Sequence, residues 1–259
     1  MATYIDRILG AHRAAAAADS RDLGDLAAAA RRCGPARGFA AALIAAEGVA
    51  VIAEVKRASP SKGPLAPTLD PAATARAYQD GGAAALSVLT DAEFFAGSPA
   101  DLAAARRATE LPVLRKDFTV GPADVYDARC MGADAVLLIA AALSPDQLFE
   151  LATLAGTVGI DALVEVHDES EAEVALAAGA TLVAVNQRDL VSFEVDTARA
   201  ERVAKFLPPG VTTVAESGIR SGDDVARLAG AGFDAVLVGE SLVTSADPAA
   251  AVRALRRAP

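Results

Sequence analysis

A repeated phrase constrains this chain more than any other feature. Asp80–Leu86, Met131–Leu137, Ala178–Val183 and Ala231–Leu237 each close a helical pattern with a Gly and open an apolar strand a few residues later. Gly adopts the left-handed conformation that ends a helix, so each phrase reads as a helix-to-strand joint. Extended along the chain, the pattern gives apolar strands at Val49–Lys56, Ala84–Leu89, Pro112–Lys116, Ala135–Ile139, Ala162–Val166, Leu182–Asn186, Thr212–Glu216 and Ala235–Gly239. Helical patterns lie between them at Pro71–Asp80, Pro99–Thr109, Pro122–Cys130, Pro145–Ala155, Glu169–Ala178, Asp196–Phe206 and Gly222–Gly230, and Pro248–Arg257 closes the chain. Pro at several helix starts fits the first helical position, where no backbone N–H is needed. The strands are continuous apolar runs, as expected of a parallel sheet buried on both faces. Eight such units are the closing number of the (β/α)8 barrel. An open, doubly wound sheet is the alternative, but no G-x-G-x-x-G follows the first strand. The prediction is an α/β fold, a (β/α)8 TIM barrel forming one domain over residues 1–259. Its residues 1–48 form an N-terminal helical extension, with helices at Tyr4–Ala18, Arg21–Cys33 and Gly38–Ala46.

Composition narrows the partners. The net charge of −10 argues against nucleic acid or an anionic membrane. An anionic substrate therefore needs a local basic pocket. No apolar run is long enough for a membrane span, and the first residues lack a signal-peptide pattern, so the expected location is cytoplasmic. Cys33 and Cys130 have no metal-like spacing and read as reduced thiols. The two histidines are too few for a histidine metal site, and His12 is expected to be solvated on a polar helix face. Of 24 basic residues only Lys56, Lys62, Lys116 and Lys205 are lysine. Where Lys persists in an Arg-rich chain, a primary amine that exchanges protons is a candidate requirement.

The strand ends carry the chemistry. Side chains alternate along a strand, so Ile52, Glu54 and Lys56 share one face. A core face would make Glu54 and Lys56 costly unless paired, and a solvent face would waste Ile52. The end of a strand, where a packed interior opens into a pocket, accommodates all three. Alternation likewise groups Leu114, Lys116 and Phe118, Leu163 with Glu165, Asn186 with Arg188, and Val214 with Glu216. One such end is explained by a salt bridge alone; five on one barrel mouth point to a site. At the last two strand ends, Ser217-Gly218 and Gly239-Glu240 place Gly turns where barrels bind phosphate.

These motifs resemble the indole-3-glycerol-phosphate synthase family of tryptophan biosynthesis. The resemblance runs from Val49 to the end and rests on Glu54–Gly63, Ser87–Thr90, Leu114–Phe118, Glu165–His167, Asn186–Leu190, Ala215–Ile219 and Leu237–Leu242, in order and spacing. It implies a carboxy-lyase that closes 1-(2-carboxyphenylamino)-1-deoxyribulose 5-phosphate to indole-3-glycerol phosphate, with release of CO2 and water. Lys116 or Lys56 would serve as acid at the ketone oxygen, Glu165 as base in the dehydration, and Glu54 would orient the lysines. Burial is expected to lower a lysine pKa and raise a glutamate pKa, bringing both toward neutrality. Asn186 and Glu216 would bond sugar hydroxyls or the ring nitrogen, and Arg188 would hold a carboxylate or position Glu165. Phe95, Phe118, Leu138 and Leu190 would form an apolar wall for the aromatic ring. Ser59, Ser217, Gly218, Gly239 and Glu240 would bind the phosphate. The resemblance implies no cofactor and no metal, a phosphorylated small-molecule substrate, and association with other tryptophan-pathway enzymes. The competing readings are another phosphate-binding barrel, such as phosphoribosylanthranilate isomerase or a pentose-phosphate epimerase, and a barrel that binds or regulates without catalysis. The first would not require two lysines and two glutamates at strands one, three and five; the second would be signalled by loss of Lys56, Lys116 or Glu165, all of which are present.

Overall fold

The structure, a computed structural model, describes residues 3–256. Eight parallel strands close into a barrel: β1 (Ala50–Val55), β2 (Ala85–Leu89), β3 (Val113–Lys116), β4 (Ala135–Ile139), β5 (Asp161–Val166), β6 (Leu182–Asn186), β7 (Thr212–Glu216) and β8 (Ala235–Val238). Each strand pairs with its successor, and β8 returns to β1 in the register Ala50–Ala235 to Ala53–Val238. Three helices precede the barrel: α1 (Tyr4–Ala18), α2 (Leu23–Arg31) and α3 (Phe39–Ile44). The rest are α4 (Pro71–Gly81), α5 (Pro99–Ala108), α6 (Pro122–Met131), α7 (Pro145–Thr157), α8 (Glu169–Ala177), α9 (Arg199–Ala204), α10 (Gly222–Gly230), α11 (Glu240–Val243) and α12 (Pro248–Arg256). The predicted end of the last helix, residue 257, lies outside the described residues.

Local chemistry sets the joints. Asp70 caps α4 by accepting from the amides of Ala72 and Ala73, Pro71 occupies the first turn, and Gly82 ends the helix with φ of 88°. Barrel strand bounds fall within one residue of the sequence reading. Helix α9 is shorter than predicted because Asp196 spends its carboxylate on the Ala198 amide and on Arg202, making a turn where a helix was expected. Helix α2 starts two residues late because Asp22 is its cap, accepting from the Asp25 amide. Three short elements were not predicted: an antiparallel pair of two-residue strands, Ala58–Ser59 and Gly63–Pro64, a 3-10 turn at Ala140–Ala142, and the one-turn α11.

The apolar residues form two layers, as strand alternation dictates. Val51, Val88, Leu138 and Val164 belong to the outer layer packed beneath the helices. Ile52, Leu114, Leu137, Leu163, Val214 and Leu237 fill the barrel interior, joined by Phe39 and Leu43 of α3. Because α3 enters β1 directly, it closes the end of the barrel opposite the mouth. The layering corrects one site assignment. Leu138 pairs in register with Val164 and faces outward, fully buried under the helices. Leu137 and Ile139 face inward in its place. The sequence reading named a residue of the right strand in the wrong phase.

Candidate active site at the barrel mouth

Two adjoining cavities open at the C-terminal ends of the strands. The larger, about 310 Å³, is polar and is lined by Glu54, Lys56, Glu216 and the turns at Ser217-Gly218 and Gly239-Glu240. The smaller, about 130 Å³, is apolar and is lined by Phe95, Phe118, Leu190, Leu137 and Ile139. Ser59, Lys116, Asn186 and Arg188 line both. Of the candidate site residues read from the sequence, only Leu138 is missing from this mouth.

The charged groups are buried and mutually paired. Lys116 Nζ lies 3.0 Å from Glu165 Oε2 and 3.6 Å from Glu216 Oε1. Lys56 Nζ lies 2.6 Å from Glu54 Oε1, and Ser87 donates its hydroxyl to the other Glu54 oxygen at 3.3 Å. Asn186 Nδ2 donates to Glu165 Oε1 at 3.1 Å, while its own oxygen accepts the Arg188 amide at 2.9 Å. The Arg188 guanidinium donates to the Phe193 carbonyl, so it braces the loop after β6 and makes no bond to Glu165. Gln187 points away from the mouth and donates to the Ser217 carbonyl at 2.7 Å, as alternation requires.

This pairing reverses the expected proton affinities. Burial by itself disfavours the charged Lys116, but Glu165, Glu216 and Glu54 outweigh it and raise the lysine above its ordinary value. Burial likewise lifts Glu165, yet Lys116 and then His167 hold its carboxyl well below the usual range. Glu216 goes the other way: burial, reinforced by the charge of Glu165, pushes it well above that range. Two close carboxyls in one low-dielectric pocket do not both ionise, and the one with more donors keeps its charge. The expectation that burial brings Lys116 and Glu165 toward neutrality therefore fails, because ion pairing exceeds desolvation at both. The burial effect survives at Glu216, one of whose oxygens has no hydrogen-bond partner among the described residues.

The backbone at the polar end is shaped for close approach. Ser217 and Gly218 are consecutive left-handed residues, with φ of 72° and 77°. A Cβ on Gly218 would meet Val195 Cγ1 at 2.5 Å, and one on Gly239 would overlap Glu54 Oε1 and stand 2.9 Å from Lys56 Nζ. Arg220, Ser61, Ser241 and Thr244 also line this cavity. None of them was singled out in the sequence, because Ser, Thr and Arg in loops carry no periodic signal.

The N-terminal extension reaches the mouth as well. Tyr4, Ile5 and Ile8 of α1 line the apolar cavity, a role sequence alone did not assign to a segment outside the repeat. His12 is not solvated. Its Nε2 lies 2.9 Å from Asp91 Oδ2, and the other Asp91 oxygen accepts the amides of Phe94 and Phe95. The imidazole also packs 5.4 Å from the Phe118 ring. Ligand-type atoms of His12, Asp91 and Asp117 fall within 4.8 Å of one another, but His12 is engaged by Asp91, and Asp117 by Arg115 and Thr90.

The sequence model for the family described as indole-3-glycerol phosphate synthase matches residues 5–255. The chain is similar to proteins of that name from Rhodococcus jostii (52% identical, covering 96% of this chain and 93% of the relative) and Mycobacterium ulcerans (51%, covering 97% and 93%). Among solved structures it is similar to thiamine phosphate pyrophosphorylase from Pyrococcus furiosus, with a TM-score of 0.60 at 16% identity over 81% of this chain and 94% of that one. It is also similar to KGPDC from Streptococcus mutans, with a TM-score of 0.62 at 13% identity over 81% and 96%. At such identities the two structures speak for the barrel fold alone.

Proposed function

The chain belongs to the indole-3-glycerol phosphate synthase family, and from that membership we propose how its mouth divides the work of the reaction. The reaction closes the pyrrole ring of 1-(2-carboxyphenylamino)-1-deoxyribulose 5-phosphate in tryptophan biosynthesis, releasing CO2 and water. One observation carries the division: Lys116 borders both cavities, whereas Lys56 borders only the polar one. The aromatic ring belongs in the apolar cavity, against Phe95, Phe118, Leu190 and Ile139, and the phosphate at the Ser217-Gly218 and Gly239-Glu240 turns, with Ser59 facing them. The ketone carbon then lies between, beside Lys116.

As the ring carbon bearing the carboxylate attacks the ketone carbon, negative charge develops on the ketone oxygen. Lys116, kept protonated by its carboxylate neighbours, delivers a proton there. Loss of CO2 restores the aromatic ring. The hydroxyl then leaves as water on a proton from Lys56, held by Glu54, while Glu165 takes a ring proton. Asn186 orients Glu165, and the protonated Glu216 donates a hydrogen bond to the substrate. General acids and bases of this kind contribute about 10²–10⁴-fold each. The phosphate, distant from the bond changes, contributes uniform binding.

A single-turnover quench tests the division. Lys56→Arg should accumulate a cyclised, decarboxylated but still hydroxylated intermediate, and Lys116→Arg should return unreacted substrate. The same species from both variants would overturn it. The same reading takes residues 1–259 as one domain acting in the cytoplasm, in association with neighbouring enzymes of the pathway.

A further inference from the structure

His167 directly follows β5, on the same face as Glu165, and is nearly buried, with 11% of its side chain exposed. Its Nε2 lies 3.4 Å from Glu165 Oε1 without a formed hydrogen bond, so the contact is electrostatic. Its Nδ1 lies 3.0 Å from Glu171 Oε2 in the first turn of α8, and that same oxygen accepts the His167 amide at 2.8 Å. Nothing in the mechanism above uses this imidazole.

Its placement is asymmetric with respect to the two carboxyls at the centre of the site. Glu165 meets Lys116, Asn186 and His167, whereas Glu216 meets Lys116 at the longer distance and has one unpartnered oxygen. The groups facing the pair are Glu54 from β1, Lys116 from β3, His167 after β5 and Asn186 from β6, while Asp168 and Glu171 face His167 itself. Of these, only His167 brings a positive charge to Glu165 and not to Glu216. We propose that His167 is a positioning residue that makes Glu165 the proton-accepting member of the Glu165–Glu216 pair, with Glu171 holding the imidazole against Glu165.

The charges are consistent with this arrangement. Burial works against a charged imidazole, but Glu165 and Glu171 outweigh it and hold His167 up to about 10. Without the imidazolium, Glu165 takes up a proton at higher pH and the base is lost there. An opposite charge at this range moves a carboxyl by about 1–3 pH units. The inference rests on Glu165 acting as base.

The test uses two readouts on the full chain. His12 and His167 are the only histidines, so ring-labelled imidazole spectra contain two signals, and His12→Asn assigns them. The His167 ring should stay doubly protonated through pH 8, and Glu171→Gln should lower its titration midpoint. In steady-state kinetics, His167→Gln should move the acid limb of kcat up by about 1–3 pH units and leave KM nearly unchanged at high pH. Glu171→Gln, at a less buried position, should move the same limb in the same direction. A wild-type His167 that titrates near the ordinary 6.5, or a His167→Gln loss of equal size at every pH, would overturn the proposal. Retained turnover in Glu165→Gln would instead overturn the assignment of the base, leaving the imidazole spectra to report on the clamp.

Discussion

The two halves of the mouth are built on different terms. In the polar half the buried charged side chains have specific partners: Lys56 has Glu54, Lys116 has Glu165 and Glu216, and Glu165 has Asn186. In the apolar half Phe95, Phe118, Leu190, Leu137 and Ile139 come from loops and from one strand, and shape alone relates them. Charges select their own positions, because a buried unpaired charge is costly. An apolar side chain is tolerated on either face of a doubly buried strand. Substitutions in the polar half should therefore alter turnover, and substitutions in the apolar half should alter binding or stability according to which way the side chain points.

The largest effect tests the polar half. Lys116→Arg keeps the charge but not an exchangeable proton, so kcat should fall by about 10²–10⁴-fold with KM little changed. Lys56→Arg should fall within the same range. Lys62, exposed and 3.9 Å from Glu240, is the internal control, and Lys62→Arg should stay within about threefold of wild type on that scale. If the Lys116 and Lys56 variants also stay within threefold, the amines supply only charge.

Next is the seam between the proposed phosphate site and Lys56. Gly239→Val would place its Cβ against Glu54 and Lys56, so it should raise KM and lower kcat together. Misplacement of about 1 Å is enough for roughly a 10²-fold loss in kcat/KM. A KM change alone would mean that the Glu54–Lys56 pair shifts freely.

The apolar half is best tested by neighbours of opposite phase. Ile139→Val removes one methylene from the cavity wall and should cost about tenfold in kcat/KM. Leu138→Ala should cost about 2–5 kcal/mol of stability, read by denaturant unfolding, with KM unchanged. Equal effects of the two on KM would contradict the layering.

The smallest effect concerns His12, the polar tie of the apolar half. Its hydrogen bond to Asp91 raises its pKa above 6.5 against partial desolvation. A group raised on folding stabilises fully below its unfolded value, and that stabilisation fades as pH rises through the folded one. His12→Asn should thus cost about 0.5–1 kcal/mol at pH 6 and less at pH 9, measured by thermal unfolding at both. A cost that grows with pH would mean that the neutral imidazole is the form that binds.

Much of this was legible in the sequence, for reasons particular residues make plain. The barrel announced itself through Gly132 and its counterparts, which stop helices at fixed distances before strands, and through Pro at helix starts. Glu54, Lys116, Glu165 and Glu216 were legible because charge inside an apolar run has few explanations. Leu138 was misplaced because no polar residue in Ala135–Ile139 fixes the phase of that strand. His12 was misread because its partner, Asp91, lies far along the chain in a loop. The proton affinities of Lys116 and Glu165 were not legible at all, since their sign depends on distances between strands.

The barrel closes by pairing its first strand with its last, and the polar half of the mouth lies on that closure. Glu54 lies in the last pleat of β1 and Lys56 just beyond it, while the turn that fits against them, at Gly239, follows β8. A growing chain therefore carries both lysines and Glu165 long before they form a working site. Until β8 emerges and docks, the Glu54–Lys56 pair lacks one wall, and non-local pairings of this kind are the slow ones. Turnover should thus appear abruptly once β8 docks, and nascent chains stalled before residue 235 should have none.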